Sequence, residues 1–375
     1  MHSFDKYDRY QRQIILKELG VSGQEKLLKA KVAVIGAGGL GCPALQYLAA
    51  AGAGTIGIVD FDLVELTNLQ RQTLYNMEDI GKPKVQIATK RLRAFNPDIN
   101  IVAHQVALDN RNAMDILSLY DIVIDGTDNF TTRYLVNDAC VLLGKPLIYG
   151  AVLRYEGQVG VFNFGEETEK TNYRDLFPRP PLPSTVLSCN EAGVPGVLPG
   201  IIGTLQAAEL IKMVTGIGEP LTNSIMTYNL LNNSFYQFQL SPLNGCDNPI
   251  PRSREEFERF DYSWFCEPEH DPLEIFCDEF DVLRKKESIT IIDVREEGEL
   301  PIVDEFSCIN IPLNRFEDFV DAAVIQEKTV IFCLSGKRSL LAAKRLKEKF
   351  PASYIYSLKG GIAGWKKQQM TKQNT

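Results

Sequence analysis

The chain reads as two α/β domains, the first built on a doubly wound parallel sheet, and three observations carry that reading. Short apolar runs alternate with helical periods from residue 31 to residue 143, as strands buried between crossover helices do. Glycines cluster where the first such strand gives way to a helix, in Gly36-Ala37-Gly38-Gly39-Leu40-Gly41. A smaller set of strand and helix signals returns after residue 272, beyond a stretch rich in Pro, Asn, Asp and Glu. A chain of 375 residues is long enough for two domains with full cores. The expected division is 1–243, a linker at 244–271, and 272–375.

Residues 9–19 and 22–30 read as helices, the second with Ser22 as its N-cap. A strand is expected over 31–36, a helix over 39–51 and a second strand over 55–60. Residues 83–95 make a basic amphipathic helix, 100–106 and 121–125 strands, and 131–143 a helix. From residue 146 the pattern turns to strands with turn signals, at 147–153, 157–164, 224–229 and 234–240. Between them, the Pro- and Gly-punctuated residues 177–203 read as a mobile loop, and 201–214 as a periodic helix. The second domain predicts strands at 289–294, 308–312, 329–334 and 353–358, and a helix at 339–350.

Composition narrows the function. With 45% hydrophobic and 23% charged residues the chain reads as soluble and globular. A net charge of -8 argues against a general nucleic-acid or anionic-membrane binder. Residues 32–59 carry no charge and are long enough to mimic a membrane span. Their glycines and Pro43 fit strand–loop–helix–strand instead. The N-terminus shows no apolar signal region. The eight cysteines are scattered without any Cys-x-x-Cys pair, so the expected setting is the reducing cytoplasm. Cys42 and Cys140 fall on predicted helices and read as core.

The glycine loop lies between a predicted strand and a predicted helix, where backbone N–H groups can approach a phosphate chain. Asp60 ends the next strand at the distance expected for a carboxylate on a ribose. That fingerprint by itself suggests NAD. The residues downstream point to phosphate chemistry instead: Asn68, Gln70, Arg71 and Lys84 gather polar and cationic groups, and Asp125-Gly126-Thr127-Asp128-Asn129 ends another strand.

Five motifs in order (Arg9-Tyr10-Gln11-Arg12-Gln13, the glycine loop, Val59-Asp60-Phe61-Asp62, Asn68-Leu69-Gln70-Arg71-Gln72 and Asp125-Gly126-Thr127-Asp128-Asn129) resemble the MoeB/ThiF/HesA family, bacterial relatives of ubiquitin-activating enzymes. The similarity runs over about 7–240 and implies a Rossmann-like domain. It further implies ATP over Gly36, Gly38, Gly39 and Gly41, with Asp60 on the ribose. Asn68, Arg71 and Lys84 would handle phosphates, and Asp128 would support Mg2+. The implied partner is a small ubiquitin-like sulfur carrier ending in Gly-Gly, whose C-terminal carboxylate attacks the α-phosphate. Arg12 matches an arginine that reaches the partner subunit's site in the family, which implies a homodimer. Cys189 matches a family cysteine position; it reads either as a covalent link to the activated carrier or as a loop residue without chemistry.

Many relatives bind a structural zinc through two Cys-x-x-Cys pairs. Here the corresponding places read Asn172-Tyr173-Arg174-Asp175 and Cys246-Asp247-Asn248-Pro249. One cysteine cannot supply a closed thiolate set, so no zinc site is expected.

The second domain carries Cys333-Leu334-Ser335-Gly336-Lys337-Arg338-Ser339 at a strand end. A short Gly-containing loop leading into a helix at Ser339 surrounds a thiolate with N–H groups. The nearby Lys337 and Arg338 are expected to lower its pKa and hold an anion. With Ile292-Asp293-Val294-Arg295-Glu296, Asn310-Ile311-Pro312-Leu313 and Lys359-Gly360-Gly361-Ile362-Ala363-Gly364-Trp365, the loop resembles the rhodanese family over about 271–367. That resemblance implies a persulfide on Cys333, loaded by a donor such as a cysteine desulfurase. Four residues separate Cys333 from Arg338, and related phosphatases use a loop one residue longer. Cys308 reads as strand packing.

The expected function is therefore adenylation of a sulfur carrier followed by sulfur transfer. The domain pairing and the Asn-Leu-Gln-Arg-Gln-Thr stretch lean towards the molybdopterin-synthase carrier subunit, with the thiamine-pathway carrier and tRNA thiolation as alternatives. An NAD-dependent oxidoreductase and a non-catalytic carrier-binding scaffold are the rivals.

Overall fold

The computed structural model describes residues 7–166, 168–178, 193–243, 250–262, 271–322 and 328–373, which fall into two compact units, 7–262 and 271–373. The first holds an eight-stranded sheet in the order β3-β2-β1-β4-β5-β6-β7-β8. Its strands are β1 (Lys31–Ile35), β2 (Thr55–Val59), β3 (Asn100–His104), β4 (Ile122–Asp125), β5 (Leu147–Leu153), β6 (Glu156–Phe162), β7 (Ser224–Asn229) and β8 (Ser234–Gln239). The first five pair in parallel and the last four antiparallel.

Strand side chains alternate between two cores. Val32, Val34, Ile56 and Ile58 face one, while Ala33, Ile35, Val59 and Val123 face the other. Both faces are apolar because helices cover both. The helices are α1 (Gln11–Ile14), α2 (Gly20–Lys29), α3 (Gly41–Ala51), α4 (Lys84–Phe95), α5 (Ala113–Ser118), α6 (Phe130–Leu143), α7 (Tyr173–Leu176), α8 (Val197–Thr215) and α9 (Arg254–Arg259). Strand order reverses between β1 and β4, and an open α/β sheet presents its ligand crevice at the carboxyl ends of the strands flanking such a switch.

Residues 32–59 form β1, α3 and β2 as expected. Helix α8 is also long and apolar enough to cross a membrane, yet it packs on α3, β5 and β6 and buries Gln206 and Glu209.

Three expectations change. The helix over 9–19 breaks after Ile14, because Ile15 and Leu16 point to solvent (74% and 53% exposed) and no apolar stripe continues it. Helix α2 begins at Gly20 behind Leu19, so Ser22 lies inside it rather than capping it. Part of the expected linker belongs to the first unit. Ser253 caps α9 by accepting the Glu256 N–H, and Phe257 and Tyr262 are buried in the core beside α6. Single apolar anchors among polar residues leave no periodic signal. The expected mobile loop falls largely on 179–192, outside the described residues.

The second unit is a five-stranded parallel sheet, β11-β10-β12-β13-β9. Its strands are β9 (Glu274–Ile275), β10 (Ile289–Asp293), β11 (Ile309–Asn310), β12 (Lys328–Phe332) and β13 (Ile355–Leu358). Helices α10 (Cys277–Lys286), α11 (Phe316–Ala322), α12 (Lys337–Lys349) and α13 (Gly361–Gln373) flank it. Trp365 of α13 donates its indole N–H to Asp281 of α10 at 3.0 Å.

Candidate functional site

The glycine loop is shaped by close approaches. Gly36 has φ +90°, and a Cβ there would lie 2.8 Å from the Gly126 carbonyl oxygen. A Cβ on Gly41 would stand 1.9 Å from the Gly36 oxygen. Ala37 is held on both sides of its peptide. Its N–H donates to Asp60 Oδ2 at 2.7 Å, and its carbonyl accepts from the Tyr75 hydroxyl at 2.8 Å and from Cys42 Sγ at 3.3 Å. Burial pushes the Cys42 thiol up to about 12, so it stays a neutral donor. Burial also raises the Asp60 carboxyl, against the opposing pull of the Ala37 N–H and of Lys84. No protein acceptor takes the N–H of Gly38 or Gly39 among the described residues.

The segment after β2 wraps this loop. Lys84, buried at the start of α4, pairs with Asp62 at 2.9 Å. Asn68 is buried and accepts the Glu65 N–H at 3.1 Å. The Arg71 stem lies against Gly39 while Nη1 donates to the Thr67 carbonyl at 3.0 Å. Arg91 of α4 braces the wrap from below, bonding Asp79 at 2.6 Å and the Leu74 carbonyl. Sequence reasoning missed Arg91, one cation among several on a basic helix.

The end of β4 separates two acids that look alike in sequence. Asp125 is fully buried; it pairs with Arg133 at 3.1 Å and accepts from Thr127 N–H and Oγ1 at 2.9 and 2.6 Å. Arg133 also donates to the Thr127 carbonyl at 2.9 Å and lies 5.2 Å from the Tyr149 ring centre. This clamp, with Gln206 donating to the Asp125 carbonyl at 2.7 Å, leaves Asp128 exposed at the loop tip. Arg133 was not identified from sequence; its place in α6, eight residues after Asp125, is the signal that was available. Arg12 is exposed on α1, with no hydrogen bond or ion pair among the described residues. Cys189 and Cys246 lie outside the described residues.

Where a first thiolate pair was sought, Asn172 and Asp175 cap α7 instead. Arg174 is wholly buried against Asp138 (2.6 and 2.8 Å), and the Tyr262 hydroxyl donates to the same carboxylate at 2.8 Å. Asp175 accepts the Leu243 N–H at 2.9 Å. Hydrogen bonds thus tie α6, α7 and the tail of this unit together.

In the second unit Cys333 follows β12 and is fully buried. The Gly336 N–H points at its Sγ from 3.2 Å, and Ser339 Oγ from 3.6 Å. The Gly336 carbonyl, 2.9 Å from Ser339 Oγ, competes with the sulfur for the single hydroxyl proton. N–H groups of Ile362 and Ala363, at the start of α13, hold the Cys333 and Leu334 carbonyls at 2.8 and 3.1 Å. Lys337 is the first residue of α12.

Arg338 departs from expectation, because its guanidinium forms a two-pronged pair with Glu299 at 2.8 and 2.5 Å. Arg338 in turn holds the Glu299 carboxyl below its usual range. The described contacts of the sulfur are a backbone N–H and a hydroxyl, those of Gly336 and Ser339. Arg295 fixes the loop that carries Glu299. It pairs with Asp293 at 2.7 Å and donates to the Glu299 and Pro301 carbonyls at 3.0 and 2.8 Å. Cys308 is half-buried just before β11, and burial raises its thiol.

Comparison with known proteins identifies both domains. The ThiF family matches residues 10–248, and the rhodanese-like domain matches 277–368. A Thermus thermophilus "Sulfur carrier protein adenylyltransferase" is 49% identical over 68% of this chain and 97% of its own length. The "Probable adenylyltransferase/sulfurtransferase MoeZ" of Mycobacterium tuberculosis is 40% identical over 98% of this chain and 94% of its own. The "Adenylyltransferase and sulfurtransferase MOCS3" of Drosophila grimshawi is 38% identical over 98% and 85%. Among solved structures, E. coli MccB shares the fold, with a TM-score of 0.58 at 23% identity over 65% of this chain and 72% of that one. With both family models matched in one chain, the protein belongs to the ThiF family, carries a C-terminal rhodanese-like domain, and is an adenylyltransferase and sulfurtransferase.

Proposed function

We propose that the chain adenylates the C-terminal glycine of a small ubiquitin-like sulfur carrier with ATP and then delivers sulfur to it from Cys333. One observation carries the reading. A pinned glycine loop, with Arg71 and Lys84 beside it, and a cysteine facing N–H and hydroxyl donors occur in the same polypeptide. The names of the T. thermophilus, M. tuberculosis and D. grimshawi relatives support it.

The N–H groups of Gly38 and Gly39 receive the phosphates, and Asp60 receives the ribose. Arg71 and Lys84 offset phosphate charge, Asn68 contributes a neutral hydrogen bond to the phosphates, and exposed Asp128 supports Mg2+. The carrier's carboxylate oxygen attacks the α-phosphorus as the bond to pyrophosphate breaks, giving an acyl-adenylate. No strong base is needed, because the attacking carboxylate is already ionised; positioning and charge neutralisation supply the rate. A persulfide on Cys333, loaded by a cysteine desulfurase, then attacks the acyl carbon with its outer sulfur and AMP departs. Two electrons from a thiol reductant cleave the resulting acyl disulfide, returning the Cys333 thiol and releasing the carrier thiocarboxylate.

The molybdopterin-synthase carrier subunit is the favoured substrate, in line with the MoeZ and MOCS3 names of relatives. The thiamine-pathway carrier is the alternative. Exposed Arg12 fits a role in the site of a second copy, so the active form is a homodimer, working in the cytoplasm. ATP–pyrophosphate exchange with a panel of Gly-Gly carriers tests the reading. Exchange with one carrier supports adenylation and identifies the pathway; exchange with none sinks it.

A further inference from the structure

One side chain in the cradle has a polar atom with nothing to bond. Gln72 is 4% exposed, and its Oε1 is buried with no hydrogen-bond partner. Its backbone is fully used, since its N–H donates to the Asn68 carbonyl at 2.9 Å and its carbonyl accepts from Tyr75 at 3.1 Å. The carboxamide lies over the glycine loop, where a Cβ added to Gly38 would meet Gln72 Nε2 at 3.7 Å and nothing else within 4 Å. Gln72 therefore stands over Gly38 as its neighbour Arg71 stands over Gly39.

A buried acceptor without a donor is costly and calls for a partner, which a water or a ligand supplies; at Gln72 the place beside the open glycine loop favours a ligand. The surroundings say which ligand. Ala37 is occupied by Asp60, Tyr75 and Cys42, so the open part of the loop begins at Gly38, directly below the carboxamide. The N-terminus of α3 attracts anions there. A carboxamide suits a ligand that brings both an anionic oxygen and an O–H. Nε2 donates to the first and Oε1 accepts from the second.

We propose that Gln72 is a nucleotide-positioning residue: its Nε2 adds a donor to the Gly38–Gly39 phosphate cradle, and its orphaned Oε1 accepts an O–H that arrives with the nucleotide. The inference rests on the reading of this loop as the ATP site. Two sources bring such an O–H, a ribose hydroxyl or a water on the nucleotide-bound divalent cation.

Gln72→Met keeps the length and removes both polar ends. Titration of the full-length protein with ATP, together with melting of the nucleotide-free protein, separates positioning from scaffolding. The variant is expected to bind ATP about tenfold more weakly, the size of one net hydrogen bond. Its KM for ATP rises more than its kcat falls. Nucleotide-free, it melts no lower than the wild type, because an unsatisfied buried atom has been removed. A deoxyribose triphosphate that erases the difference between variant and wild type assigns the O–H to the ribose; chelation that erases it assigns the O–H to a metal-bound water. ATP affinity within twofold of wild type, or a lower melting temperature with unchanged affinity, overturns the proposal. Wild-type protein that binds no ATP overturns the nucleotide reading as well. Should the variant fold poorly, a crystal structure of the wild type with a non-hydrolysable ATP analogue decides; Gln72 more than 3.5 Å from every atom of the nucleotide and its bound waters sinks the idea.

Discussion

The carboxylate of Asp60 accepts the backbone N–H of Ala37 at 2.7 Å, so the acid that ends β2 sets the peptide plane of the loop that leaves β1. That single bond links the two halves of the dinucleotide-type fingerprint before any ligand arrives. It also explains why a carboxylate is tolerated at a position where burial raises its pKa: two N–H groups, of Ala37 and Asp62, partly compensate.

Asp60 therefore lowers the stability of the empty protein in a pH-dependent way. Its folded pKa lies above the ordinary 3.8, so the folded state holds its proton longer than the unfolded chain does. Its contribution is most favourable below 3.8 and is lost as pH rises through the folded pKa. Asp60→Asn keeps an acceptor for only one of the Ala37 and Asp62 N–H groups, so it should flatten the pH dependence of the ligand-free melting temperature while weakening ATP binding. A variant that keeps the wild-type pH dependence contradicts this account.

Arg71→Ala and Asp128→Ala should each slow adenylation by at least ~10²-fold, the scale of losing one preorganised electrostatic contact. Neither change should unfold the protein, since Asp128 is exposed and Arg71 only partly buried. Pyrophosphate release near the normal rate from either variant would remove that residue from the chemistry.

Glu299→Gln should loosen the sulfur loop without touching the sulfur. The Arg338 pair is mostly shielded from solvent, so its loss costs about 1–2 kcal/mol, between exposed and fully buried pairs. Because Glu299 is held below its ordinary 4.5, its contribution is present above that value and fades as pH falls through the folded pKa. Sulfur transfer from thiosulfate to cyanide should drop about tenfold, against complete loss in Cys333→Ala. Unchanged turnover in Glu299→Gln would show that Arg338 needs no anchor.

Arg174→Leu should destabilise the first unit by about 3–5 kcal/mol, because it strands a buried Asp138 carboxylate. Tyr262→Phe should cost about 1 kcal/mol, one hydrogen bond to the same group. Chelators should leave the melting temperature unchanged and elemental analysis should find no zinc. Stoichiometric zinc in the pure protein would refute that.

The strand positions of the first domain were legible because buried parallel strands are short continuous apolar runs, as Val32, Val34, Ile56 and Ile58 illustrate. Gly36, Gly41 and Asp60 were legible as a group because glycines at those spacings have few other uses. Short elements held by one or two anchors, such as α9 through Phe257, left no period to read. Arg91, Arg133 and Glu299 were missed for a related reason: each acts through a partner 8 to 39 residues away, and separation in sequence carries no record of distance in space.

By itself the sequence determined the two α/β units, the glycine cradle, the sulfur loop and the family to which they belong, since each rests on local composition and spacing. Only the tertiary structure decided how the charges are spent. It buried Asp125 and exposed Asp128, turned Arg338 towards Glu299, tied Arg174 to Asp138 where a metal was considered, and left Gln72 Oε1 without a partner. Pairing and burial depend on which residues packing brings together, and a charged or polar group takes its function from that environment.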